Sequence, residues 1–463
     1  MNNFTSPLET RHKNSIMVFR EHYKRRKMIN MLARYSNSWL LELVTILVAV
    51  LLLPLQVNPV DIHASRASPV LNDPDLKVET VVSGIEFPTG IAFLGQNDIL
   101  IIEKNTGKVK RVIDGETLEE PLLDVNVANK IERGLLGIAV SKNLPDNKTY
   151  VFLYYTEAEE DGSDPVGNRL YRYELVDNKL INPKLLLDLP YLPGPAHNGG
   201  VITIGPDNNV YVVVGNLYSP VFNKGGENNL IQNIREGNEP DGRGGIIRVT
   251  QDGQLVGSGI LGDEHPLDMY YAYGIRNSFG IAFDPLTGNL WDTENGGRDE
   301  INLVEPGFNS GWPQVSGMSS IHEDFDEEDL VDFGGRGKYS DPELELGSHV
   351  APTGITFLHS DSLGQRYEDQ MFVATTSGTI FNFQLNEDRT GLVLTGPLED
   401  KISEDMDDLD DVVFGKLFEV ITDLEFGPDG YLYGTTYNEN GTIFKVLPIM
   451  AISDDNKQQP LMR

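Results

Sequence analysis

Three short stretches of this chain hold residue types that do chemistry. Pro193-Gly-Pro-Ala-His197-Asn-Gly-Gly200 sets a histidine in a glycine-rich loop that opens onto a strand. An imidazole titrates near neutrality, so a histidine held there is either a proton acceptor or an ordinary surface-loop residue. Tyr273-Gly-Ile-Arg276-Asn277-Ser-Phe-Gly280 offers a permanent cation with an amide beside it. The rigid donor fork of arginine suits anionic or quinone oxygens, although an ion pair between neighbouring sheets uses the same residue. Thr293-Glu-Asn-Gly296-Gly297-Arg298-Asp299-Glu300-Ile-Asn302 combines bare glycine carbonyls with two carboxylates. Such a set suits a hard cation such as Ca²⁺, which takes backbone as well as carboxylate oxygens. The acidic run from Glu399 to Asp411 reads instead as a solvated loop.

Residues so far apart need a scaffold, and an internal repeat supplies one. Beyond about residue 76 the chain shows short alternating strands bounded by Gly, Pro, Asn and Asp, with little helical periodicity. One phrase returns as Gly90-Ile-Ala-Phe93, Gly137-Ile-Ala-Val140, Val201-Ile-Thr-Ile204, Gly280-Ile-Ala-Phe283, Gly354-Ile-Thr-Phe357 and Asp423-Leu-Glu-Phe426. Several copies are followed by a Pro- and Gly-containing turn and a second strand, as in Gly427-Pro-Asp-Gly430 before Tyr431-Leu-Tyr433. Six such units predict an all-β fold, a six-bladed β-propeller preceded by an N-terminal signal or anchor segment. A pair of β-sandwiches does not predict six copies of one phrase. Val78–Val82 and Thr442–Val446 would be orphan edges unless they pair to close the ring. The expected boundaries are a basic region over 1–67, a linker over 68–76, the propeller over 77–449 and a tail over 450–463.

Charge separates the same pieces. The chain has 463 residues, no cysteine and a formal charge of −33, from 37 basic and 70 acidic residues. Its head contains Lys24-Arg-Arg-Lys27, then an apolar stretch from Leu43 to Leu53, then small residues around Ala64-Ser-Arg-Ala67. That order is the one of an export signal, or of a single membrane anchor over residues 39–57. In both cases the basic flank places the rest of the chain outside the cytoplasm, secreted or anchored to the outer face of the membrane. The acidic body excludes sequence-independent nucleic-acid binding, which depends on Lys and Arg neutralising phosphates.

At these motifs the chain resembles the glucose/sorbosone dehydrogenase family, soluble sugar dehydrogenases that use pyrroloquinoline quinone (PQQ) on a six-bladed propeller. The resemblance runs from about Val78 to Val446. It is carried by Glu132-Arg-Gly-Leu-Leu-Gly137, the His197 loop, Gly274-Ile-Arg-Asn277 and the stretch from Glu294 to Asn309-Ser-Gly-Trp-Pro313. It implies His197 as the general base that takes the proton of an anomeric hydroxyl, and Arg276 and Asn277 as cofactor contacts. It further implies Gly296 and Gly297 as the carbonyls that hold Ca²⁺ beside PQQ, and Asp299 and Glu300 near further metal positions. Glu132 falls where the family can place a sugar-contacting side chain. The implied reaction oxidises an aldose-type sugar and passes the electrons to an external acceptor.

The chain also departs from that pattern. Where the family grips the carboxylates of PQQ with a lysine and two arginines, Thr376, Val420 and Thr422 stand here. Ala196 replaces an acid beside the histidine, and Asn216 and Leu217 replace an Asp and a Gln. Charge-assisted hydrogen bonds to carboxylates are among the strongest in any site, so the alternatives are a repositioned clamp, with Lys338, Arg336 and Lys416 as candidates, or a different or absent cofactor. Two other functions remain open at this level. One is a non-catalytic extracellular propeller that binds a ligand or partner. The other is a metal-dependent lactonase or hydrolase built on Glu132, Asn216 and Asn277.

Overall fold

The computed structural model of the protein describes residues 68–142, 148–219, 221, 228–347 and 350–449. The signal-like and anchor-like head and the tail from residue 450 lie outside the described residues. The described chain is all-β with a β-propeller arrangement, and its strands form six sheets. Each copy of the repeated phrase falls on an edge strand: Pro88–Gly95, Leu135–Ser141, Ile202–Ile204, Ser278–Phe283, Pro352–Phe357 and Ile421–Phe426. The strand that follows each copy is buried along nearly its whole length, as in Asp98–Glu103, Asn209–Val214 and Met371–Thr375. A strand packed on both faces has no polar side to show, which is why these segments read as unbroken apolar runs rather than alternating ones.

The core is a ring of interfaces. Leu100, Ile102 and Val109 of the first sheet pack with Leu135 and Val151 of the second. Phe152 and Leu170 pack with Val210 and Ile247 of the third, and Val213 and Ile246 with Ile281 and Val304 of the fourth. Trp291 and Ile301 then meet Ile355 and Phe381 of the fifth, whose Phe372 and Phe414 meet Leu424 and Phe444 of the sixth. Tyr433 and Ile443 of the sixth pack with Ile91 and Ile101 of the first, which returns the ring to its start. Each sheet thus buries apolar surface only against its two neighbours, the condition for stability in a radial repeat.

Near the axis the inner strands approach too closely for side chains. A methyl group on Gly137 would lie 2.0 Å from the carbonyl oxygen of Gly200, and one on Gly280 would lie 2.1 Å from that of Thr353. Threonines tie the same strands together. Thr89, Thr353 and Thr422 donate their hydroxyls to the carbonyls of Leu135, Ile421 and Pro88, each at the start of the next inner strand, over 2.8, 2.8 and 2.9 Å.

The ring closes as the edge argument requires. Leu76–Ile85 pairs antiparallel with Gly441–Pro448, with Val78 opposite Val446. The segment 68–76 differs from its expected role as a linker. Val70–Leu71 pairs with Gly415 and Lys416 as the outer strand of the fifth sheet, and Asp73 is buried with its carboxylate on the Tyr367 hydroxyl at 3.2 Å. Gly280→Ala is expected to lower stability by about 1–3 kcal/mol, because the added methyl meets unyielding backbone. Gly95→Ala should change little, since its methyl would meet only Asp98 Cβ at 3.8 Å. Denaturant midpoints of the two variants check this.

Candidate active site

A cavity of ≈ 280 Å³ runs between the inner strands, with Thr89, Gly137 and Thr353 on its wall. Its wall also includes Lys104, Glu132 and Gly199 together with Thr376, Val420 and Thr422, the residues at the clamp positions. His197, Arg276 and Asn277 are not among the residues of this wall; His197 and Asn277 are joined to it through Glu132. One Glu132 oxygen, Oε2, accepts from the backbone N–H of His197 at 2.6 Å and from Asn277 Nδ2 at 3.1 Å. Asn277 in turn accepts the N–H of Gly199 at 3.2 Å. Burial pushes the Glu132 carboxyl upward, and these donors together with the Arg276 guanidinium oppose the shift. Glu132 therefore holds the base and the amide together as well as facing the cavity.

His197 is buried, with φ of 58°, a left-handed conformation that is uncommon outside glycine. The shape is imposed from the next loop. The N–H of Leu217 donates to the His197 carbonyl at 3.2 Å, and a methyl group on Gly215 would meet that carbonyl oxygen at 2.3 Å. The ring is held by Asn216, whose Oδ1 lies 2.7 Å from Nδ1. The same oxygen accepts the backbone N–H of Tyr218 at 3.0 Å, so it is the acceptor and Nδ1 carries the proton. Nε2 is then the free lone pair. Burial, reinforced by the nearby Arg276 charge, lowers the imidazole to about 4, with the Asn216 hydrogen bond opposing. The ring is neutral at neutral pH, as a proton acceptor must be.

Arg276 is fixed at both ends. Its backbone N–H donates to Glu294 at 2.6 Å and its guanidinium to the carbonyl of Asn295 at 2.6 Å, with Trp312 under the cation at 5.3 Å. Beyond Asn295 the chain turns through Gly296 and Gly297, whose N–H groups donate to Asp299 Oδ1 and Ser316 Oγ at 3.2 and 2.9 Å. Neither glycine carbonyl accepts a hydrogen bond among the described residues. A methyl group on Gly296 would fall 2.2 Å from the Arg298 carbonyl oxygen. Two adjacent carbonyls without a protein donor, the first on a glycine that has no room for a side chain, are a donor set that fits a hard cation.

The two expected acidic neighbours diverge, as consecutive residues entering a strand do. Asp299 caps backbone, accepting from Gly296 and, at 2.7 Å, from Ala351. Glu300 points into the fourth sheet, where it shares Ser310 with Glu294 and Asn302 with Asp292. Burial drives Glu300 up to about 7, Asp292 to about 6 and Glu294 well above the usual carboxylate range. Among the described residues no three His, Cys, Asp or Glu side chains are grouped to hold a metal. The acceptor oxygens of the hydrolase set, Oε2 of Glu132 and the side-chain oxygens of Asn216 and Asn277, already have partners within the chain.

The cations proposed to replace the clamp are placed elsewhere. Lys416 pairs with Asp410 at 2.8 Å, Lys338 lines a separate surface depression, and the Arg336 guanidinium lies near Gly262. Lys104 lines the cavity instead. Reading the sequence missed it because Ile101-Ile-Glu-Lys104 looks like the end of any strand, and only the closed ring turns that end inward.

The aldose sugar dehydrogenase of Escherichia coli is 25% identical over 381 residues, 81% of this chain and 93% of that protein. Quinoprotein glucose dehydrogenase B of Acinetobacter calcoaceticus is 28% identical over 269 residues, 52% of each. The PQQ-bound aldose sugar dehydrogenase of Streptomyces coelicolor superposes with a TM-score of 0.57 at 23% identity, covering 82% of this chain and all of that one, a likeness of fold. The glucose/sorbosone dehydrogenase family profile matches residues 85–445, across all six sheets, and the chain belongs to that family.

Proposed function

We propose that the protein oxidises an aldose-type sugar at its anomeric hydroxyl with PQQ and Ca²⁺, outside the cytoplasm, on a propeller of six blades. The observation that carries this reading is the neutral imidazole of His197, its tautomer set by Asn216 and its place beside the cavity set by Glu132. In its role, Nε2 takes the proton of the sugar hydroxyl. Arg276 and Asn277 present fixed donors to oxygens on which negative charge develops, and donors already oriented cost no reorganisation during the reaction. The carbonyls of Gly296 and Gly297 would hold Ca²⁺. PQQ, when bound, supplies a quinone that accepts the two electrons of the sugar and passes them to an external acceptor.

The channel fits an anionic cofactor better than its acid count suggests. Asp423 and Glu425 line it, and burial raises the first to about 7 and the second well above the carboxylate range, so both resist ionisation. The uncharged Thr376, Val420 and Thr422 favour the alternative of a binding propeller without turnover. One assay separates the two. Purified protein given PQQ and Ca²⁺ should reduce an artificial electron acceptor with aldoses, lose this activity to a chelator and regain it with Ca²⁺. A rise in Tm with Ca²⁺ but no turnover with any aldose would overturn the enzyme reading.

Two further outcomes are expected. His197→Ala should lower kcat by about 10²–10⁴, the usual contribution of a positioned base, with little change in the Kd for PQQ. The base works only when neutral, so kcat should be flat down to about pH 5 and fall as pH drops through the His197 value of about 4. Asn216→Asp places a carboxylate against Nδ1–H, which favours the imidazolium. This variant should move the acid limb to higher pH by about 1–3 pH units, read from the pH profile of kcat.

A further inference from the structure

We infer that Lys104 is the anion anchor of the channel, the residue that takes a carboxylate of the quinone cofactor in place of the missing clamp; the inference rests on the PQQ reading above. Lys104 is 6% exposed, and it lines the cavity shared with Thr376, Val420 and Thr422. Two of its ammonium protons go to uncharged oxygens, Asn105 Oδ1 at 2.9 Å and the Asn129 carbonyl at 3.2 Å. Among the described residues it has no carboxylate within ion-pair distance, unlike the buried Asp284, which is matched by Arg389 at 2.6 Å.

A buried ammonium without a counter-ion is costly, and burial lowers Lys104 to about 8 while Glu132 pulls it back up. The simplest source of the missing charge is a ligand. Arg276 does not fill this role from its own position, since it is not among the residues that line this cavity. The two asparagine oxygens aim the ammonium without neutralising it. One proton is left for an incoming anion, and Thr376, which lines the same cavity, carries a hydroxyl able to donate to another oxygen of that anion.

The test is equilibrium binding rather than turnover. The full chain, at fixed Ca²⁺, is titrated with PQQ and with its trimethyl ester, followed by quenching of tryptophan fluorescence. Wild type is expected to bind the acid more tightly than the ester. Lys104→Gln, which keeps hydrogen-bond donors for Asn105 and Asn129, should weaken the acid roughly ten- to a hundred-fold and narrow that gap. Lys104→Arg should stay within about threefold of wild type, because it keeps the charge. Unchanged PQQ affinity in a folded Lys104→Gln, or equal binding of acid and ester by wild type, would overturn the Lys104 role while leaving the quinone reading in place. Failure of wild type to bind PQQ would overturn both. The comparison of acid with ester needs no variant, so it holds even if a substitution unfolds the chain.

Discussion

Where one inner strand meets the next around the axis, backbone touches backbone, and most other features follow from that approach. Glycine appears where a side chain would strike a neighbouring carbonyl, as at Gly137 and Gly280. Threonine appears where a hydroxyl can bridge to the next strand, as at Thr89, Thr353 and Thr422. A buried carbonyl left without a donor would cost on the order of 1–3 kcal/mol, so these bridges satisfy groups that a wider spacing would leave to water. The same convergence produces the channel. Thr422 shows both effects at once, since its hydroxyl is committed to the Pro88 carbonyl while the residue lines the cavity.

The channel's electrostatics are set more by burial than by the count of charges. The chain carries a large excess of acid, yet Asp423 and Glu425 in the channel, like Asp292, Glu294 and Glu300 inside the fourth sheet, are all pushed upward by desolvation. Desolvation disfavours the charged form of acids and bases alike, so it also lowers His197 and Lys104. For His197 the result is a usable base. For Lys104 it is a cation held at a cost, with neutral partners and an open face.

The fold was legible because it is written six times. Each copy of the small-apolar-x-apolar phrase is an inner strand, and the unbroken apolar segments after several copies are second strands covered on both faces. Two things escaped. Val70–Leu71 is too short to stand out, and it is a strand only because Gly415 and Lys416 offer an unpaired edge. Glu300 follows Asp299 directly and looks like its companion, but the alternation of a strand sends the two carboxylates to different places.

For the site, the sequence alone determined which residue types were present and in which loops: a histidine among glycines, an Arg-Asn pair and a Gly-Gly turn with acids after it. Local order could carry that much because each of these motifs is contiguous. Tertiary structure decided the relations between them. Glu132 bridges His197 and Asn277, from two other sheets, through one oxygen. Asn216 fixes which ring nitrogen is free, and Lys104 lines the same cavity as the uncharged clamp positions. These contacts join residues up to 145 positions apart, and no local pattern encodes them. They exist because closure of the ring brings the ends of separate strands to one axis.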